Sequence, residues 1–178
     1  MNDLQKLTLT MNIVAQWHSA QRRKGVSQEP YVNHLIEVAD LVCRLGEGDI
    51  EAVQAALLHD AIEDCDRSRD EIAALFGDAV ADIVVEATDD KSLDWQTRKE
   101  LQVTSASHKS PRGSLVKLAD KTSNLRSLAA SPPPKWDTER KRRYIAWSRA
   151  VVEGLPHKPA AMLAAFEAAA AEAQSRFG

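Results

Sequence analysis

Ala55-Ala56-Leu57-Leu58-His59-Asp60-Ala61-Ile62-Glu63-Asp64 opens as an apolar helical run and ends in four side chains able to bind or move charge. Upstream, Asp49 suits a helix N-cap, and Ile50, Val53, Leu57, Leu58 and Ala61 follow it at helical spacing. This predicts a helix from Asp49 that continues through Glu63 and Asp64. In such a helix, at roughly 100° per residue, His59, Asp60, Glu63 and Asp64 lie near 0°, 100°, 40° and 140°, on one face. Three carboxylates so close repel one another unless protonated or neutralised by a cation. Imidazole with carboxylate suits Mn, Fe, Zn or Co better than calcium. Glu63 and Asp64 would also oppose the macrodipole at the C-terminus of this helix, a local cost that favours a functional reading.

The helical period extends in both directions. A first helix is predicted over about Leu4 to Arg22, with Leu7, Met11, Val14, Trp17 and His18 on one face and Gly25 beyond its end. Pro30 opens a second, on which Tyr31, Leu35, Val38, Val42 and Leu45 recur until Gly46 and Gly48. Further helices are read over Ser68 to Phe76, Val80 to Ala87, Leu93 to His108, Leu115 to Leu128, Trp136 to Gly154 and Pro159 to Phe177. Ser68 and Glu71 have the spacing of a capping box. No repeat or linker divides the chain, so the expectation is an all-α protein, one bundle of about eight helices spanning residues 1–178.

Composition agrees. Of the 178 residues, 7 are glycine and 7 proline, and only 5% are aromatic, too few turn and strand residues for a sandwich or barrel. The formal net charge is −3, which argues against a nucleic-acid polymer as partner, because phosphate neutralisation needs clustered lysine and arginine. No apolar run reaches the length of a membrane span. The two cysteines, Cys43 and Cys65, have no CxxC spacing, and the simplest reading is a cytoplasmic protein in a reducing compartment. No feature of the sequence sets an oligomeric state.

Two isolated residues carry further weight. His34 shares the apolar side of the second helix with Val38, Leu41 and Leu45, where a lone histidine reads most simply as a satisfied core residue. Asp120 rises from the apolar stretch Leu115-Val116-Lys117-Leu118-Ala119-Asp120-Lys121, where it reads as a buried hydrogen-bonding or a solvated aspartate. Taken in order, His34, the His59-Asp60 pair and Asp120 resemble the H…HD…D pattern of the HD-domain metal-dependent phosphohydrolases.

Longer stretches carry that resemblance: Arg23-Lys24 with Glu29-Pro30-Tyr31-Val32-Asn33-His34; Ala55 to Asp64; Glu86-Ala87-Thr88-Asp89-Asp90-Lys91; and Leu115 to Lys121 with Asn124-Leu125-Arg126. Together they look like the hydrolase domain of the RelA/SpoT homologues, nearest to the stand-alone small alarmone hydrolases of the metazoan SpoT type. The resemblance covers nearly all of the chain. It implies hydrolysis of the 3′-pyrophosphate of ppGpp and pppGpp to GDP or GTP plus pyrophosphate, with one Mn²⁺.

Carried over by position, His34, His59, Asp60 and Asp120 match the metal ligands, and Glu63 and Asp64 the catalytic acidic pair. Arg23 and Lys24 match a basic pair near the guanosine base and phosphates. Asn124, four residues after Asp120, projects from the same face and suits a hydrogen bond to ribose or phosphate. Arg140 and Tyr144 match residues near the nucleotide. Leu35, Thr122-Ser123 and Trp95 depart from the family pattern, which leaves nucleotide preference open. Hydrolysis of another nucleotide, such as NADPH at its 2′-phosphate, and a helical module that binds nucleotide without turnover are the alternatives.

Overall fold

The computed structural model describes all 178 residues. It contains ten α-helices and no β-strand: α1 (Asp3–Trp17), α2 (Val32–Leu45), α3 (Ile50–Leu58), α4 (Ala61–Cys65), α5 (Arg69–Phe76), α6 (Asp78–Ala87), α7 (Trp95–Thr104), α8 (Pro111–Ala130), α9 (Thr138–Gly154) and α10 (Ala160–Phe177). A 3₁₀ turn at Ala106–His108 joins α7 to α8. The expected all-α class stands. No helix is long and apolar enough to cross a membrane.

Local chemistry sets most of the ends. Asp49 accepts from the Ala52 amide at 3.0 Å, as an N-cap must. Ser68 and Glu71 form the reciprocal capping box. Pro111 opens α8 at a position where a missing N–H costs nothing, with Ser110 as its cap. Gly77 holds a φ of +93° between α5 and α6, open to glycine at no steric cost.

Three boundaries differ from expectation. α1 ends at Trp17, not Arg22, and residues after it turn so that Arg22 bridges back to Pro30. The segment read over Leu93 to His108 is an α-helix only from Trp95 to Thr104.

The third difference matters for the site, because the helix from Asp49 does not run through Asp64. α3 stops at Leu58, and His59 and Asp60 form a turn before α4. The His59 ring supplies a cause: its Nδ1 lies 2.8 Å from the Ala56 carbonyl, a side-chain partner that competes with continued helical bonding. Glu63 and Asp64 therefore sit in the first turn of α4, where the macrodipole favours acid. The electrostatic cost expected for them at a helix C-terminus does not exist, and it supplies no argument for function.

α8 is the axis of the molecule. It packs against α2, α3, α6, α9 and α10, and every residue from Gly113 to Ser123 is buried. A helix surrounded by protein should be apolar on all sides. This one buries Lys117, Asp120, Lys121, Thr122 and Ser123 among its leucines. Buried charge is costly unless it is paired or ligating, so the polar side of α8 marks where chemistry is built into the core.

Candidate metal centre and active site

Three chain segments bring four side chains to one point. His34 comes from the first turn of α2, His59 and Asp60 from the α3–α4 turn, and Asp120 from the middle of α8. His34 Nε2 lies 3.4 Å from Asp120 Oδ1 and 3.8 Å from Asp60 Oδ2. His59 Nε2 lies 3.1 Å from Asp60 Oδ2 and 3.8 Å from Asp120 Oδ1. The ligand atoms of His34, His59 and Asp120 all fall within 4.8 Å of one another. Donors bound to one cation at about 2.1 Å lie roughly 3.0–3.4 Å apart, so small adjustments close these atoms around an ion.

The hydrogen-bond pattern also fits a cation. His59 directs Nδ1 to a backbone carbonyl, while its buried Nε2 has no hydrogen-bond partner. Metal-bound histidines hold their second nitrogen in this way, which leaves the other lone pair for the ion. Burial disfavours the His59 imidazolium, but Asp60 and Asp120 outweigh it and raise its pKa to about 10. Burial likewise opposes ionisation of Asp60 and Asp120, yet His59 on the first and Lys121 on the second outweigh it, and both stay well below the usual carboxylate range. The centre is thus a buried carboxylate, Asp120, and a half-buried one, Asp60, that together demand positive charge, with imidazole nitrogens facing them. A divalent cation fits this donor set.

The acidic pair flanks the centre from α4. Glu63 is half-buried, and burial, then Asp89 and Asp60, push its carboxyl above the usual range. Arg98 Nη1 stands 3.8 Å from its Oε1. Asp64 is exposed and faces Lys91 at 3.2 Å, and Lys91 also donates to the Glu63 carbonyl. The acid pair thus sits on α4, beyond the turn that carries His59, and Glu63, not Asp64, is the more enclosed of the two.

Residues 11–145 match the family model described as an HD domain. The chain belongs to the HD-domain family. It is 45% identical over 142 residues to the guanosine-3′,5′-bis(diphosphate) 3′-pyrophosphohydrolase MESH1 of Drosophila melanogaster, covering 78% of each chain. The human MESH1 is 46% identical over 145 residues, with 81% of each covered. A solved structure described as a metazoan orthologue of SpoT that hydrolyses ppGpp superposes with a TM-score of 0.88 at 39% identity, over 92% of this chain and 93% of that one.

In this HD-domain chain the expected nucleotide-facing residues divide into two groups. Asn124 joins the centre directly and Arg23 joins it through Asn124: Arg23 Nη2 donates to Asn124 Oδ1 at 2.8 Å, and Asn124 Nδ2 donates to Asp120 Oδ1 at 2.5 Å. Tyr144 lies nearby, with its ring 5.3 Å from Trp147 and Lys99 Nζ 5.5 Å from its centroid. Lys24 is exposed. Arg140 is exposed and stacked over Trp136 at 4.6 Å, making no contact with the convergent four.

Several residues around the centre were given no role there by the sequence. Tyr31, read there as one apolar helix position, donates its hydroxyl to Asp60 Oδ2 at 2.7 Å. Lys121 pairs with Asp120 at 3.0 Å, both buried. Lys99 sits 3.3 Å from the Trp147 ring centroid, and burial, then Lys121, lower its pKa to about 7. Lysines inside an apolar helix were the one available clue, because Lys117 and Lys121 share α8 with Asp120. A cavity of about 280 Å³ lies beside Arg98, lined also by Asp89, Gln102, Lys109 and Lys117. None of the four convergent residues lines it.

Proposed function

We propose that this chain is a metal-dependent hydrolase of guanosine alarmones. It cleaves the 3′-pyrophosphate of ppGpp or pppGpp to give GDP or GTP plus pyrophosphate. The observation that carries the reading is the convergence of buried His34, His59 and Asp120 with half-buried Asp60 beside Glu63, in a chain about 45% identical to ppGpp 3′-pyrophosphohydrolases.

In this reading His34, His59, Asp60 and Asp120 hold one Mn²⁺. Such a cation, when bound, supplies Lewis acidity, lowering the pKa of a water and neutralising phosphate charge. Glu63, with Asp64 beside it on α4, would orient an attacking water and accept its proton. A Glu63 carboxyl raised by burial is better matched to proton transfer near neutral pH than an ordinary one. Arg23, Lys24, Asn124, Arg140 and Tyr144 contact the nucleotide, with guanidinium and ammonium groups set against its phosphates. The proposal treats residues 1–178 as one phosphohydrolase domain. It places the chain in the cytoplasm, where the free thiols of Cys43 and Cys65 are stable.

The test is direct. Purified protein is incubated with ppGpp and Mn²⁺, with and without chelator, and nucleotide and pyrophosphate are followed by chromatography, with NADPH as a parallel substrate. Metal-dependent release of pyrophosphate from ppGpp is the expected result. Absence of ppGpp turnover overturns the reading, and preferential release of phosphate from NADPH reassigns the substrate.

A further inference from the structure

His34 Nδ1, on the side of the ring away from Asp120, lies 2.8 Å from Ser123 Oγ. Ser123 in turn donates to Glu37 Oε2 at 2.6 Å, and Arg126 Nη1 holds the other oxygen of Glu37 at 2.9 Å. The four residues come from matching i, i+3 steps on two packed helices: His34 and Glu37 on α2, Ser123 and Arg126 on α8. Asp120 is one more such step back along α8. The rows meet inside the protein, where Ser123 is 1% and His34 3% exposed.

The proton order in this chain is determined by chemistry. An ionised carboxylate only accepts, so the single hydroxyl hydrogen of Ser123 goes to Glu37. Ser123 Oγ must then accept from His34, which puts the imidazole hydrogen on Nδ1 and leaves Nε2 with its lone pair toward Asp60 and Asp120. The neighbouring Thr122 shows the alternative use of such a hydroxyl, since it bonds to the Leu118 carbonyl of its own helix at 2.8 Å. His59 points its Nδ1 the same way, toward the backbone carbonyl of Ala56. His34 has a side-chain relay instead.

We propose that Ser123 and Glu37 are positioning residues for the metal centre, holding the His34 ring and its tautomer so that Nε2 faces the cation. The proposal rests on the metal-centre reading above. Orienting partners of this type typically change metal affinity by about 10- to 100-fold when removed. The chain thus uses a Ser–Glu pair, anchored by Arg126, in the role that a directly bonded carboxylate or carbonyl plays for other metal-bound histidines. The same relay links α2 to α8, and so fixes the separation of His34 from Asp120.

The experiment measures Mn²⁺ binding directly, by counting free Mn²⁺ with electron paramagnetic resonance during titration of the full-length metal-free protein. Wild type, His34→Ala, Ser123→Ala and Glu37→Gln are compared. Ser123→Ala is expected to weaken Mn²⁺ by about 10- to 100-fold. Glu37→Gln, which keeps the shape but can donate to Ser123 and so release the proton order, is expected to weaken it by at least 3-fold. In both variants the Mn²⁺ concentration for half-maximal ppGpp hydrolysis should rise in parallel, while kcat at saturating Mn²⁺ stays within about threefold of wild type, which a merely structural role would not produce. Folded Ser123→Ala and Glu37→Gln proteins that bind Mn²⁺ within twofold of wild type overturn the proposal. If Ser123→Ala fails to fold, Glu37→Gln alone decides. A wild-type protein that binds no Mn²⁺ overturns the metal-centre reading and this inference with it, whereas wild-type binding that only His34→Ala removes overturns the relay alone.

Discussion

Tyr31 and Asp60 are joined by a 2.7 Å hydrogen bond in which the phenol donates to the carboxylate, across the gap between the start of α2 and the α3–α4 turn. Burial and the Asp60 charge both oppose ionisation of this phenol and push its pKa far up, so it remains a donor at every working pH. It also stacks on His18, with ring centroids 5.5 Å apart. Tyr31 thus holds the same Asp60 oxygen, Oδ2, that faces His59 Nε2 at 3.1 Å.

Tyr31→Phe removes only this hydroxyl. A hydrogen bond to a charged group contributes about 1.5–3 kcal/mol, and Asp60 keeps its contact with His59, so a loss of stability of about 1–2 kcal/mol is expected. Mn²⁺ affinity should fall by about tenfold. Urea denaturation of the metal-free protein and a Mn²⁺ titration check the two effects separately, and an unchanged affinity would show that Tyr31 has no part in orienting Asp60.

Lys121 and Asp120 make a second test. Burial opposes the Asp120 charge, and Lys121 leads the groups that outweigh it. Removing one partner of a buried pair strands the other, at a cost of about 3–5 kcal/mol. Lys121→Met should destabilise the metal-free protein by about 3 kcal/mol, and added Mn²⁺ should recover part of that loss by supplying the missing positive charge. Because the folded pKa of Asp120 is depressed, its stabilising contribution is complete above the unfolded value near pH 4 and is lost as pH falls toward the folded one. The wild-type protein should therefore weaken below about pH 4, and thermal melts from pH 7 to pH 3 measure the trend.

How much of this was legible in the chain depends on the range of the interaction. Asp49 and the Ser68–Glu71 box act within one turn, and they cap the helices where local pattern puts them. The HD dipeptide at His59-Asp60 and the lone Asp120 on an apolar helix were likewise visible, because a charge among leucines needs a reason. The break at His59 was hidden, since Leu57, Leu58 and Ala61 keep a helical period across it and only the ring-to-carbonyl contact ends α3. That one break reversed the meaning of Glu63 and Asp64, from residues opposing a helix dipole to residues favoured by one. The contact between Ser123 and Glu37 was out of reach altogether: they lie 86 residues apart, and although Ser123 departs from the family pattern, nothing in the chain pairs it with Glu37.

Glu63 makes a prediction about pH. If it takes a proton from water, it must be ionised, and burial with neighbouring carboxylates raises its pKa above the ordinary value. At saturating Mn²⁺ the acidic limb of kcat should lie above the range of an exposed glutamate, with activity rising as pH increases through it. Glu63→Gln should lower kcat by about 10²- to 10⁴-fold, abolish that limb and leave Mn²⁺ binding in place. Full activity in a folded Glu63→Gln protein would remove Glu63 from the reaction.

Lys99 makes a prediction of opposite sign. Burial, followed by the charge of Lys121, lowers its pKa from the usual lysine range to about 7 in the folded protein, although its ammonium faces Trp147. The unfolded chain then binds more protons than the folded one between pH 7 and the ordinary lysine value near 10.4. Stability must rise with pH across that interval, and the cost of burying the charged amine is complete only below pH 7. Lys99→Met, which fills similar space without a charge, should therefore raise the melting temperature most at pH 7 and below, and should flatten the rise in stability toward pH 10. Lys117, lowered to about 8 by burial and then by Lys121, keeps some of that slope in the variant. Melting curves of the two proteins at one-unit pH steps provide the measurement. A Lys99→Met protein that melts lower than wild type at pH 7 would mean that the contact with Trp147 outweighs the cost of burial, and that Lys99 is held charged in the folded protein.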